Sequence, residues 1–85
     1  MSGKYQLVFT SEFLKRLKKL DREAQIRVLK GVKVLEENPF SGKRLRGSLS
    51  GLLSLRIGDY RIIYQVSKDE VIIRTFGHRK SIYER

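Results

Sequence analysis

The sequence contains no cysteine and no tryptophan, and only one histidine and one proline, in 85 residues. Without cysteine, disulfides, thiolate metal sites and cysteine nucleophiles are all excluded. One histidine cannot form a multi-histidine metal site, and 9 Asp+Glu scattered among 19 Lys+Arg make a poor carboxylate cage for a cation. We therefore expect a protein that uses no metal and no cofactor.

Long hydrophobic runs are absent too, since no apolar stretch approaches the roughly 20 residues of a membrane-spanning helix. Residues 1–4 lead directly into a strand-like pattern, so we expect no signal peptide and a cytoplasmic protein. Acidic residues are outnumbered, and the formal net charge is +10. The natural partners of such a chain are polyanions or an acidic protein.

The length and the 40% of hydrophobic residues predict one small domain over residues 1–85. Residues 5–9 alternate as in a strand. Thr10 and Ser11 then offer helix-capping oxygens, and Asp21 offers the cap of a second helix. Apolar residues recur at helical spacing after each cap, and Asn38-Pro39 marks the end of the second helix. The short connection between the helices predicts an antiparallel hairpin.

The second half of the chain favours strands. Residues 40–51 are interrupted by Ser-Gly and Gly-Ser pairs, which predicts an irregular basic loop. Residues 52–57, 60–66 and 71–76 read as three strands, and their short connections can only join antiparallel neighbours. The predicted fold is therefore α+β, with the helical hairpin covering one face of a four-stranded, mainly antiparallel sheet.

Alternation along the strands predicts which side chains face the helices. Leu53 and Ile57 should face the helices, while Arg56 and Arg61 should lie on the uncovered face. Tyr64 is in the inward phase of its strand and is expected in the core. Arginine predominates over lysine after residue 43, and its planar fork suits bidentate binding of phosphate. We expect any chemistry to lie in this half.

Three segments give the chain a resemblance to a known family. They are residues 43–47 (KRLRG), residues 55–64 (LRIGDYRIIY) and residues 77–83 (GHRKSIY). Together with the order of elements, they resemble the RelE/ParE superfamily of toxins from type II toxin–antitoxin systems, and its RelE branch more closely. The resemblance implies a ribosome-dependent mRNA endoribonuclease that cleaves in the A site without a metal, and so inhibits translation. It also implies an acidic, RelB-like antitoxin, with operator DNA bound only through the complex.

The resemblance assigns roles to individual residues. Arg61 and Arg79 would bind the scissile phosphate and stabilise the transition state, and Tyr83 would stack on a base. The RelE pattern has two strand lysines where this sequence has Leu52 and Ser54. His78 is then the ordinary candidate for proton transfer, because its unperturbed pKa lies near neutrality. The remaining basic residues predicted to bind RNA are Lys43, Arg44, Arg46, Arg56 and Lys80.

Other interpretations of these residues stay open. In one alternative, Arg61 pairs with Asp59 or Glu84 at the surface. In the others, His78 is simply a solvated residue, and the ring of Tyr83 packs on the sheet. Three functions are consistent with the sequence: the ribosome-dependent endoribonuclease, a DNA gyrase inhibitor of the ParE kind, and a catalytically weak module that only binds RNA or an antitoxin. Fold alone does not choose among them.

Overall fold

The computed structural model describes residues 4–47 and 51–78. Strand β1 (Gln6–Phe9) precedes helices α1 (Ser11–Lys18) and α2 (Arg22–Lys33) and a 3₁₀ turn (Val34–Glu36). The later strands are β2 (Lys43–Arg44), β3 (Leu53–Ile57), β4 (Tyr60–Ser67) and β5 (Glu70–His78). The predicted α+β class is confirmed. Over the described ranges, no helix combines the length and the apolar character needed to cross a bilayer.

Both helices begin at the predicted caps. The Thr10 hydroxyl accepts a hydrogen bond from the Phe13 N–H at 3.1 Å, and the Asp21 carboxylate accepts one from the Ala24 N–H at 2.9 Å. Each cap satisfies a backbone donor that has no partner within the helix. The α-helical part of α2 ends at Lys33, and the 3₁₀ turn completes the helical segment before Pro39.

The sheet has one strand more than predicted. In the described residues its order is β1-β5-β4-β3-β2, with β1 parallel to β5 and the other neighbours antiparallel. The prediction of four strands was wrong because residues 43 and 44, assigned to a basic loop, pair with β3 as an edge strand. Gly42 permits this pairing, since a Cβ there would lie 2.6 Å from both the Ser54 carbonyl oxygen and the Tyr64 hydroxyl.

The hydrophobic core lies between the sheet and the two helices. Helix α1 lies against β5 and contributes Phe13, while α2 lies against β3 and contributes Val28 and Val32. Tyr64 is fully buried among them, as predicted, and its hydroxyl accepts a hydrogen bond from the Gly42 N–H at 2.9 Å. Burial raises the pKa of the Tyr64 phenol, although the hydrogen bond from Gly42 opposes this shift.

A β-bulge changes the alternation of β5 at Arg74. Ile63 of β4 pairs with Thr75, but the next residue, Tyr64, pairs with Ile73, so Arg74 is the extra residue of β5. Before the bulge Ile73 faces the helices, and after it Phe76 does. Residues 75 and 77 consequently project from the sheet face that points away from the helices.

We call that surface the open face. Its two central rows are Ser54, Ile63 and Thr75, and Arg56, Arg61 and Gly77. Ser54 is 2% exposed and Ile63 is 6% exposed, although neither packs against the helices. The open face therefore has a buried centre surrounded by longer, polar side chains.

Candidate functional site

Two arginines lie directly opposite each other on the open face. Gly58 adopts a φ of +60°, which glycine tolerates at little cost, and β3 reverses into β4 within two residues. The reversal makes Arg56 the cross-strand partner of Arg61, and the Arg56 Nε contacts the Gly58 carbonyl oxygen at 3.5 Å. Like charges in directly opposed positions repel, so an anion bound between them would be favoured.

Arg61 is held over the buried centre of this face. Its Nη1 donates a hydrogen bond to the Ser54 hydroxyl at 3.4 Å, and its side chain is half-buried. A second hydrogen bond on the open face joins the Arg74 Nη1 to the Gln65 Oε1 at 3.2 Å. These contacts limit the rotamers available to the guanidinium groups, which lowers the entropic cost of binding an anion.

Strand β2 adds a third cation, Lys43, which the sequence analysis had placed in an irregular basic loop. Lys43 is the cross-strand partner of Ser54, and paired residues of an antiparallel ladder project from the same face. Lys43 is exposed and belongs to the same row as Ser54, the residue to which Arg61 donates a hydrogen bond. A two-residue strand is too short to produce a periodic pattern, so the sequence carried no signal that Lys43 lies in a strand of the sheet.

The neighbouring predicted RNA-binding residues lie elsewhere. Arg44 pairs with Leu53, a core residue, and lines a pocket of about 250 Å³ on the helix side of β2 with Phe40 and Val66. Arg46 follows β2 and is exposed. Of the three basic residues predicted in this region, Lys43 is thus the one that joins Arg56 and Arg61.

His78 projects from the other side of the sheet. It pairs with Tyr60, and the two rings are 6.3 Å apart in an edge-to-face arrangement, while Tyr60 itself packs against the core residue Phe76. Arg61 and His78 therefore project from opposite faces, and the structure does not bring them together. The other three predicted residues of this segment, Arg79, Lys80 and Tyr83, lie outside the described residues.

On the helix side, a groove runs between α1 and the end of β5. Its volume is about 540 Å³, and we call it the α1–β5 groove. The residues that line it are Glu12, Lys15, Arg16, Lys19, Leu20, Tyr60, Phe76, Gly77 and His78. Strand β1 pairs with β5 only as far as Ile73, so the last residues of β5 face α1 without an intervening strand.

The carboxylate of Glu12, which lines this groove, is engaged at the edge of β5 that β1 leaves uncovered. The Thr75 hydroxyl donates a hydrogen bond to the Glu12 Oε2 at 2.7 Å, and the Arg16 Nε lies 3.3 Å from the same oxygen. The hydrogen bond from Thr75, helped by the positive charges of Arg16 and Arg74, lowers the pKa of Glu12. The negative charge of Glu12 is thereby balanced by Arg16. The other charged residues that line the groove, Lys15 and Lys19, leave it positively charged.

Thr75→Val is expected to move the pKa of Glu12 back toward its ordinary value of 4.5, because it removes the hydrogen bond with little change of shape. Since folding lowers this pKa, ionised Glu12 stabilises the fold above pH 4.5, and the contribution is lost as the pH falls through the lowered value. The variant should therefore lose less stability on acidification. An NMR titration of the Glu12 carboxyl, with urea unfolding at several pH values, measures both effects; an unchanged titration would contradict the assignment.

The geometry defines a class of protein. One face of a small α+β sheet is covered by two helices, and the other presents arginine and lysine around a buried serine, as expected of a domain that binds phosphate groups. A protein-family model for the ParE toxin of the type II toxin-antitoxin system parDE matches residues 7–83. The chain belongs to the RelE/ParE superfamily of type II toxins, as the sequence predicted.

Individual proteins agree with this assignment. Toxin RelG of Mycobacterium tuberculosis is 41% identical over 46 residues, which are 52% of this chain and 53% of that protein, so the match spans about half of this curated relative. A chain of the M. tuberculosis toxin-antitoxin complex RelBE2 is 31% identical with a TM-score of 0.83, covering 89% of this chain and 92% of that chain. A chain of the chromosomal ParDE system of P. aeruginosa has a TM-score of 0.73 at 16% identity, over 91% of this chain and 98% of that chain, and shows the fold alone.

Proposed function

We propose that this toxin is a ribosome-dependent mRNA endoribonuclease that inhibits translation by cleavage in the A site. The observation that carries the proposal is the placement of Arg61 over the buried Ser54, with Arg56 and Lys43 as direct neighbours on the same sheet face. Three cations around one point suit the pentacoordinate phosphate that forms during RNA cleavage. The 31% identity to a chain of a RelBE complex supports the same branch.

The chemistry requires a base for the 2′-hydroxyl, cations at the phosphate and an acid for the departing 5′-oxygen. Arg61 supplies the second requirement, with Arg56 and Lys43, and Arg79 is predicted to add to it. Tyr83 remains the predicted stacking residue, and Lys80, Arg44 and Arg46 remain predicted RNA contacts. His78 faces away from Arg61, so the proposal assigns catalysis to charge stabilisation and to orientation of the mRNA by the ribosome.

The proposed partners follow from charge and from the relatives. The chain carries a net charge of +10, and the M. tuberculosis relative was solved as a toxin-antitoxin complex. We propose a RelB-like acidic antitoxin as the inhibitor, with operator DNA bound only through the complex. The ribosome and mRNA are the proposed cytoplasmic targets, and the mechanism requires no metal or cofactor.

Inhibition of DNA gyrase is the second candidate, because the matching family model is that of the ParE toxin. Purified toxin should be incubated with mRNA positioned on ribosomes, with free mRNA, and with gyrase in a supercoiling assay. Cleavage that occurs only on ribosomes would support the proposal. Blocked supercoiling with intact mRNA would replace it with the gyrase inhibitor, and a folded protein inactive in every assay would leave the binding module.

Lys43→Ala is expected to lower the rate constant of cleavage at saturating ribosomes by about tenfold, the effect of removing one charge-assisted hydrogen bond. Arg44→Ala removes the neighbouring charge from the helix side and should raise KM without lowering kcat. Lys30→Ala, an exposed change on α2, is the charge-matched control. Equal effects of Lys43→Ala and Lys30→Ala on kcat would show that Lys43 does not act at the phosphate.

A further inference from the structure

We propose that the α1–β5 groove is a second RNA site, which binds one or two nucleotides of single-stranded RNA on the helix side of the sheet. It is separate from the phosphate site on the open face, because its lining includes no residue of the cluster formed by Lys43, Arg56 and Arg61. With a volume of about 540 Å³, the groove is within the range of small-ligand sites.

One wall of the groove is suited to phosphates. Lys15 and Lys19 are four residues apart, so they lie on the same side of α1, and both are exposed. Arg16 lines the same wall but is already paired with Glu12, whose carboxylate also accepts the hydrogen bond from Thr75. Glu12 therefore has its own partners, and the two lysines leave this wall positively charged.

The opposite wall is suited to bases. Tyr60 and His78 are cross-strand partners whose rings meet edge to face, and Phe76 forms the apolar floor beside Tyr60. Aromatic rings at the side of a basic channel are the usual arrangement for single-stranded nucleic acid, because every base has a face that can stack. An acidic peptide would use the lysines but would gain little from the exposed imidazole, so these residues favour RNA.

The proposal is testable through His78, since it is the only histidine and its imidazole NMR signals are unambiguous. The probe is a uridine hexamer, added to the full chain without ribosomes. Arg56→Ala/Arg61→Ala removes two cations of the open face, so a saturable shift of the His78 signals that persists in this variant reports the groove. The readout involves no cleavage, so its failure is distinguishable from failure of the proposed endoribonuclease.

Variants of each wall should weaken this binding in different ways, and their affinities are measured by fluorescence anisotropy of a labelled uridine hexamer, because His78→Ala lacks the NMR reporter. Lys15→Ala/Lys19→Ala is expected to reduce the dependence of log affinity on log salt by about 0.7 for each phosphate that the lysines no longer bind. His78→Ala should weaken binding about fivefold or more, the effect of removing one stacking partner. Lys18→Ala changes an exposed α1 residue outside the groove lining and is the matched control. Circular dichroism would verify that each variant is folded.

Four results would overturn the proposal. The first is an absence of any saturable shift of the His78 signals with the hexamer. A second is an identical shift in the Lys15→Ala/Lys19→Ala protein. The third is an equal shift with tripolyphosphate, which would show anion binding without base recognition. The fourth is an equal or tighter response to hexaglutamate, which would identify the groove as a site for an acidic peptide.

Discussion

Replacing Arg61 by alanine is expected to lower ribosome-dependent cleavage by roughly 100-fold or more, the usual effect of removing one preorganised donor from a transition state. The guanidinium donates to the Ser54 hydroxyl and lies opposite Arg56, so it is held where a phosphate would bind. Because the side chain is only half-buried and lies outside the hydrophobic core, the variant should remain folded. Single-turnover cleavage on purified ribosomes measures the effect, and growth after induction without antitoxin reports it in cells.

Two comparisons make the Arg61 experiment specific. Arg61→Lys retains the charge but not the planar fork, and should recover only part of the activity. Arg22→Ala removes an exposed arginine from the first turn of α2 and should leave cleavage unchanged. If Arg61→Ala and Arg22→Ala cleave equally well, Arg61 is not part of the site, and its contact with Ser54 is structural.

Gly42→Ala is expected to destabilise the protein by about 2 kcal/mol, because overpacking of a close contact typically costs this much. The added Cβ would lie 2.6 Å from the Ser54 carbonyl oxygen, a backbone atom that cannot move aside without displacing β3. It would lie equally close to the Tyr64 hydroxyl, which accepts the Gly42 N–H. A loss of this size lowers the midpoint of thermal unfolding by roughly 10 °C in a domain of this length.

The same substitution should also reduce activity, since relief of the clash moves β2 away from β3 and takes Lys43 away from Ser54. Ser41→Ala, an exposed change one residue earlier, is the control and should alter stability by less than about 0.5 kcal/mol. Thermal and urea unfolding of both variants measure stability, and cleavage below the unfolding transition measures activity. A Gly42→Ala protein as stable as the Ser41→Ala protein would contradict the close packing of β2 on β3.

Much of the fold could be predicted because local signals coincide with it. Thr10 and Asp21 cap helices whose apolar residues recur every three to four positions, and Gly58-Asp59 closes a two-residue turn. Strand β2 could not be predicted, since its pairing depends on the close approach of Gly42 to Ser54 and Tyr64. Both of these residues are far from Gly42 in the sequence. The position of β1 beside β5 is likewise a tertiary choice, because 60 or more residues separate their paired positions.

The positions of site residues could be predicted where they depend on local structure, and not where they depend on pairing between distant segments. Alternation and the short turn place Arg56 beside Arg61, as expected, because both positions are defined within one hairpin. Lys43 was predicted to lie in an irregular loop, because its location on the open face depends on the pairing of β2 with β3. The face from which His78 projects could not be predicted, because the β-bulge at Arg74 interrupts the alternation of β5. The structure places His78 on the opposite face from Arg61.

The bulge at Arg74 therefore determines which face of the sheet each later residue of β5 projects from. If the same sequence paired without the bulge, alternation through Arg74 would make Phe76 and His78 exchange sides with Thr75 and Gly77. The aromatic wall of the groove and the glycine beside Arg61 would disappear together, without any change in hydrophobic content. In this fold, a single inserted residue determines how the side chains of one strand are divided between two binding surfaces.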